Sequence, residues 1–503
     1  MFEGLIGGFQ EIVHPFNLLL VFAGTALGIL VGALPGLSSP MAIVILLPLT
    51  YTMEPLQALL VMIGVYVGTK LGGSFSAILL RTPGTPAGAC TALDGHPMAE
   101  RGEAGLALGY AVMGSTFGGI FGWIIAVTFI PVLASVALKS GNADIALVGI
   151  LGLLMVSSFV RGSTLKGLIG VLLGLLISTI GLDPVDATLR YTFGFVDLMS
   201  GIPFAAALTG FFGIAVVLSD LKLVGSRSEV ISGAGNMALP SIRDMMKRWK
   251  AVVVGSLFGT GVGAVPGVGA EGATWLAYGT MKRQAKNPDD WGKGEPDGIV
   301  TPEATNNATT GGTMIPMLTL GIPGDGSTAV ILGALILHGI EPGVMLFQTN
   351  GDLVYGILAG LLISTIFMFL IAWRAISLFI IVLQQDRAWL FPFVLLLATI
   401  GAFATVNNVY AIYIAIFFGV VGYFLEKRKF PVVTVVLGII LGPIIEANLR
   451  LALVLSANDW TTFVATTPRQ VLVALIVVVL SWELFTGIRD AAAGRRSRIG
   501  ISD

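Results

Sequence analysis

From Leu18 to the C-terminal region the sequence is a succession of apolar runs, each about as long as the 20 helical residues needed to cross a ~30 Å hydrocarbon layer. Continuous runs fall at 105–138, 144–160, 163–182, 201–219, 352–383, 389–405, 409–425, 431–446 and 470–488. Four more, 18–52, 56–89, 251–281 and 307–340, are broken by proline and glycine where a smooth helix is expected. The chain is 55% hydrophobic and 11% charged, where a soluble domain carries about 25% charged residues. This predicts an all-α polytopic membrane protein with about 11–12 transmembrane helices, embedded in a lipid bilayer. The balance of 28 basic against 29 acidic residues gives no basic field for nucleic acid. One cysteine, Cys90, and three scattered histidines offer neither a disulfide nor a metal set, and no cofactor is expected.

Two polar, basic stretches, Asp220–Lys250 and Lys282–Asn306, read as cytoplasmic loops, as do Glu426–Lys429 and the arginine-rich C-terminus. No Lys or Arg precedes Lys70, which places the N-terminus outside, and the absence of a basic n-region argues against a signal peptide.

An internal repeat organises the rest. Gly28-Ile-Leu-Val-Gly-Ala-Leu-Pro-Gly36 returns as Gly259-Thr-Gly-Val-Gly-Ala-Val-Pro-Gly267, Gly72-Gly-Ser74 as Gly311-Gly-Thr313, and Thr82-Pro-Gly-Thr85 as Ile322-Pro-Gly-Asp325. Weaker echoes pair Gly170–Gly174 with Gly438–Gly442 and Ala187–Arg190 with Ala447–Arg450. By charge counting the first copy starts outside and the second inside. The expectation is two inverted repeats, 1–219 and 251–503, joined by a cytoplasmic linker at 220–250, a recurrent build of secondary transporters.

In hydrocarbon an unpaired backbone N–H or C=O costs several kcal/mol, so irregular backbone persists only when packed in protein or lining a wet cavity. Pro35-Gly36-Leu-Ser38-Ser39 and Pro266-Gly267 therefore read as helix ends inside the membrane, whose free N–H groups suit a carboxylate. A plain proline kink is the bland alternative. Thr82-Pro-Gly-Thr85-Pro86 and Gly321-Ile-Pro-Gly324-Asp325-Gly326-Ser327 read as tips of re-entrant hairpins, or as turns that satisfy their own caps. Asn306, Asn307, Thr309 and Thr310 bring more polar side chains to one apolar segment than a cap requires, which favours ligand contact. The expected substrate contacts are thus Pro35, Gly36, Ser38, Ser39, Thr85, Pro86, Asn306, Asn307, Thr309 and Thr310. Gly267, Gly324, Asp325, Gly326 and Ser327 are expected to serve a coupling cation, Na⁺ or H⁺. Among embedded ionisable residues, Lys70 faces either the substrate or Glu271, and the pair is read as charge partners. Gly68-Thr-Lys70 lacks the phosphate-loop pattern, which argues against an ATP-driven pump.

Gly32-Ala-Leu-Pro-Gly36, Gly72-Gly-Ser-Phe-Ser-Ala-Ile-Leu-Leu80, Thr82-Pro-Gly84, Ala92-Leu-Asp-Gly-His-Pro-Met-Ala99, Pro302-Glu-Ala-Thr-Asn-Asn-Ala308 and Leu320-Gly-Ile-Pro-Gly324 together resemble the large membrane subunit of tripartite tricarboxylate transporters, in order and over nearly the whole chain. The resemblance implies a bacterial inner-membrane secondary transporter that imports organic di- or tricarboxylates with Na⁺ or H⁺. It further implies two partners, a small transmembrane subunit and a periplasmic solute-binding protein, with the C-terminus cytoplasmic. An elevator-like motion of the hairpin-bearing body is the expected transport step. A passive anion channel is the alternative reading, and an intramembrane enzyme using Glu271 or Asp325 is a further one that no nucleophile or paired-carboxylate motif supports.

Overall fold

The computed structural model describes residues 2–34, 36–138, 140–159, 164–183, 185–221, 237–343, 345–383 and 390–498. Pro35 lies outside them, as do linker residues 222–236 with Lys222 and Arg227.

The first run of helices is α1 (Phe2–Ile12), α2 (Pro15–Ala33), α3 (Ser39–Thr50), α4 (Pro55–Leu80), α5 (Ala89–Met98), α6 (Ala104–Ala137), α7 (Asn142–Phe159), α8 (Thr164–Ser178), α9 (Phe204–Leu208) and α10 (Ala215–Asp220). A π-helical turn, Thr209–Ile214, joins the last two. The second run is α11 (Ile242–Lys247), α12 (Trp249–Gly263), α13 (Gly269–Gln284), α14 (Asp297–Leu320), α15 (Gly326–Leu337), α16 (Leu346–Thr349), α17 (Gly351–Leu383), α18 (Leu390–Val406), α19 (Tyr410–Lys427), α20 (Val432–Leu455) and α21 (Thr467–Arg498). Among the described residues seven helical stretches are long and apolar enough to cross a membrane, and six shorter apolar helices accompany them. The protein is an all-α polytopic membrane protein. Its short helices come in part from the breaks, which divide 18–52 into α2 and α3 and 251–281 into α12 and α13.

Glycine sets how the long helices meet. A Cβ placed on Gly24, Gly28 or Gly32 of α2 would lie within 2.4–2.5 Å of the carbonyl oxygens of Val61, Val65 and Thr69 on α4. The register climbs in the same sense on both helices, so α2 and α4 run parallel with backbones touching, the approach that small residues permit in membranes. The second half repeats this, with Gly255, Gly259 and Gly263 of α12 against Thr301, Thr305 and Thr309 of α14.

Between the halves the sense reverses. Tyr66 Oη lies 2.9 Å from Thr313 Oγ1, Asn306 Nδ2 donates to the Lys70 carbonyl at 3.1 Å, and Ser74 Oγ donates to Glu303 at 2.5 Å. As α4 numbers rise, α14 numbers fall, so the equivalent helices α4 and α14 are antiparallel, as inverted repeats require. Each is flanked by a long helix from the other half that runs alongside it: α6 beside α14 through Gly114, Gly118 and Gly122, and α17 beside α4 through Gly356 and Gly360.

The two weaker echoes do not share this symmetry. Gly170 meets Thr434 and Gly174 meets Gly438, so α8 and α20 are parallel neighbours rather than inverted mates. Ala187–Arg190 ends in a short antiparallel hairpin, β1 (Gly181–Leu182) with β2 (Leu189–Arg190), whereas Ala447–Arg450 is helical. Those two segments nevertheless meet. Arg190 forms a two-pronged bond to Glu446, at 2.6 and 3.1 Å, and Arg450 bonds Asp183 and Asp186. The N–H groups of Asp186 and Val185 and then the Arg450 guanidinium hold the Asp183 carboxyl well below the usual carboxylate range.

Candidate functional site: a cavity at the paired helix breaks

The two halves break in the same way. Gly36 and Gly267, which occupy matching places after a proline, have φ of 93° and 82°. This left-handed backbone is open to glycine without strain. α4 ends on Arg81 and α14 on Gly321, again left-handed at 54° and 71°. The chain then turns back so that each hairpin tip seats in a notch between the broken helix and the long one. A Cβ on Gly84 would lie 2.0 Å from the Gly32 carbonyl oxygen, and one on Gly324 would lie 2.7 Å from Thr313 and 2.8 Å from the Gly263 oxygen. Gly84 N–H donates to the Gly73 carbonyl at 3.1 Å, and Gly267 N–H to that of Gly324 at 2.8 Å.

Around these breaks lies a cavity of about 650 Å³. Its walls bring together Ser38, Ser39, Lys70, Thr85, Pro86, Gly267, Glu271, Asp325, Gly326 and Ser327, residues scattered over 290 positions of sequence. Phe212 and Val216, from the α9–α10 segment, and the α19–α20 turn from Lys429 to Val433 line it as well. The starts of α3, α13 and α15 lie on this wall, as does the turn Pro86–Gly88 that leads into α5. The first N–H groups of a helix lack intrahelical partners and carry partial positive charge, so the wall offers donors to an anion.

The ionic centre of the wall is Lys70 with Asp325. Lys70 Nζ lies 3.4 Å from Asp325 Oδ2, with the two side chains 7% and 11% exposed. Tyr66 Oη donates to the same oxygen at 2.8 Å. Asp325 Oδ1 accepts from Thr328 N–H at 2.8 Å, and Asp325 N–H donates to Thr328 Oγ1 at 2.9 Å, a capping box that starts α15. Lys70, expected to answer the substrate or Glu271, is bonded to Asp325. Glu271 sits in the first turn of α13, where a carboxylate complements the helix dipole, and is exposed on the cavity wall. With Glu426 and Lys429 also on the wall, three carboxylates face two ammonium groups.

The structure does not bring Asn306, Asn307, Thr309 and Thr310 to that wall. α14 begins at Asp297, ten residues before the expected apolar segment, and carries these side chains into helix–helix contacts at no more than 1% exposure. Thr309 and Thr310 donate back to the carbonyls of Thr305 and Asn307 on their own helix, at 2.7 and 2.6 Å. Asn306 Oδ1 and both polar atoms of Asn307 have no hydrogen-bond partner among the described residues. Gly36 and Gly324 shape the breaks without lining the cavity, and Pro35 falls outside the described residues.

Two buried acids escaped the sequence reading. Asp94 is wholly buried and accepts from the N–H groups of Gly292, Gly294 and Glu295, at 2.8–3.0 Å, and from Tyr278 Oη at 2.8 Å. It thereby pins the polar segment between α13 and α14 to α5. Glu303, also wholly buried, accepts from Ser74, Thr91 and Ser115. A lone acid inside each of Ala92–Ala99 and Pro302–Ala308 was the available signal. Asp94→Ala strands three N–H groups, that of Gly294 buried and those of Gly292 and Glu295 partly so, and each unsatisfied buried group costs about 1–3 kcal/mol. The variant is expected to expose the 285–296 segment to limited proteolysis while a Lys286→Ala control stays resistant.

Paired broken helices from two antiparallel halves, with helix starts gathered on one cavity, are the build of membrane transporters with re-entrant hairpins. The chain belongs to the tripartite tricarboxylate transporter TctA family, whose description matches residues 18–437. An uncharacterized 52.8 kDa protein from the TAR-I ttuC′ 3′ region of Agrobacterium vitis is 35% identical over 483 residues, 96% of each chain. A second, from the TAR-II ttuC′ 3′ region of the same organism, is 33% identical over 245 residues, 49% of this chain and all of that one. No solved structure matches.

Proposed function

We propose that the chain is the large membrane subunit of a binding-protein-dependent secondary transporter that imports organic di- or tricarboxylates across the bacterial inner membrane, driven by a Na⁺ or H⁺ gradient. A periplasmic solute-binding protein delivers the carboxylate and a small transmembrane subunit completes the assembly. The observation that carries this reading is the cavity, where helix starts from both halves converge on Lys70. Amide donors and one ammonium group suit carboxylate oxygens.

The hairpin tips seat on α2–α4 and α12–α14, and α9–α10 and the α19–α20 turn line the cavity as well. An elevator-like step moves the tips and their ligand relative to those elements.

The test is uptake of labelled organic acids into proteoliposomes with the cognate binding protein, under separately imposed Na⁺ and H⁺ gradients. Accumulation against a solute gradient is expected, and mere equilibration under every gradient would point to a channel instead. Ser327, 2% exposed in the first turn of α15, offers a hydroxyl to the ligand. Loss of one such bond is worth about 1 kcal/mol, so Ser327→Ala should raise KM several-fold at normal expression. An unchanged KM removes Ser327 from the site.

A further inference from the structure

Glu303 is an acid for which neither the cavity nor the loop anchors account. It sits at the junction of α4, α5, α6 and α14 with 0% exposure. Oε1 accepts from Ser74 Oγ and Thr91 Oγ1, both at 2.5 Å, and Oε2 from Ser115 Oγ at 2.7 Å. No ion pair reaches it among the described residues. An ionisable group so placed is costly unless it has work to do.

The donor chemistry separates it from Asp94. Asp94 Oδ1 accepts three backbone N–H groups, which can only donate, and only its Oδ2 meets a hydroxyl, that of Tyr278. A hydroxyl donates and accepts. When Glu303 is ionised, three O–H groups point at it; when it is protonated, its own O–H donates to one of them, which rotates to accept. Neither state leaves a buried polar atom stranded. The hydroxyl oxygens stand at hydrogen-bond distance from both carboxylate oxygens, the spacing at which one proton is passed between oxygens.

The cage also backs onto the cavity wall. Ser74 follows Lys70 by one helical turn, Asn306 beside Glu303 bonds the Lys70 carbonyl at 3.1 Å, and Thr91 follows the cavity-lining turn at Pro86. The other titratable groups on the packed elements have positions of their own. Lys70 pairs with Asp325, Tyr66 bonds Thr313 and Asp325, Asp94 holds the 292–295 amides, His96 bonds the Ile78 carbonyl and Glu100, Tyr110 bonds Asp244, Asp297 pairs with Arg248, and Cys90 is buried on α5.

We propose that Glu303 is the proton-binding group of the transport cycle, taking up one proton as the anionic solute enters and releasing it on the cytoplasmic side. This inference rests on the coupled-transport reading above. Glu303→Gln preserves the hydroxyl contacts and fixes the neutral form. Infrared titration of the solute-free protein in nanodiscs should show a protonated-carboxyl band that grows as pH falls in the parent and is missing in Glu303→Gln. In proteoliposomes with the binding protein and a panel of labelled di- and tricarboxylates, one unit of pH gradient supports about tenfold extra accumulation per coupled proton. Glu303→Gln should lose that factor and retain solute counterflow. Accumulation equal to the parent, or identical infrared titrations, overturns the proposal. Should the variant fail to fold, Ser115→Ala removes one donor to the ionised form and must move the band's midpoint to higher pH; an unmoved midpoint overturns it equally. If the parent shows neither uptake nor counterflow, the carboxylate reading fails, while the infrared band still decides Glu303.

Discussion

Lys70→Met is expected to destabilise the protein by about 3–5 kcal/mol, the cost of leaving one member of a buried ion pair without its partner. The stranded group is Asp325, whose side chain is 11% exposed and keeps Tyr66 and the Thr328 amide as donors but loses its counter-charge. Pairing the change with Asp325→Asn should recover most of the loss, because a neutral amide still accepts from Tyr66 and Thr328 and no charge is left alone. Thermal unfolding in detergent reads both variants. On the proposed function the double variant should remain inactive in uptake, because it removes the Lys70 ammonium group from the cavity wall. A single variant as stable as the parent would mean that the two side chains do not form an ionic pair.

Gly68→Val should be at least as damaging, by a different route. A Cβ at that position would sit 2.4 Å from the Thr25 carbonyl oxygen and 2.8 Å from Ile29 N, both backbone atoms of α2. Overpacking against side chains costs about 1–3 kcal/mol, and backbone cannot rotate away, so loss of folded protein in membranes is the expected result. Gly7→Val and Gly279→Val are the controls, because nothing lies within 4 Å of a Cβ at either place. Folded Gly68→Val with parental melting would contradict the parallel contact of α2 and α4.

How much of this was legible follows from what each signal depends on. Proline and glycine act locally, so Pro266-Gly267 and Gly321–Asp325 announced breaks that the backbone confirms at φ 82° and 71°. Their recurrence predicted inversion, and the antiparallel bonds of Tyr66, Asn306 and Ser74 bear that out. Partner choice was not legible. Lys70 and Asp325 stand 255 positions apart, and nothing local distinguishes Asp325 from Glu271 as the mate. Asn306–Thr310 reads as ligand-facing because it is a polar run in a membrane helix; Thr309 and Thr310 bond back to their own helix, while both polar atoms of Asn307 meet no partner among the described residues. The echo of Gly170–Gly174 in Gly438–Gly442 falls on parallel neighbours that approach closely at these glycines.

The matching of Gly72–Ser74 with Gly311–Thr313 places Thr309 opposite Lys70, and that of Thr82–Thr85 with Ile322–Asp325 places Thr85 opposite Asp325. Each half therefore keeps one charge of the pair and a threonine where the other half holds the opposite charge. A perfectly duplicated chamber would greet a guest identically from either end and accept it either way round. This one has a polarity of its own, with the ammonium group supplied by the first half and its carboxylate partner by the second.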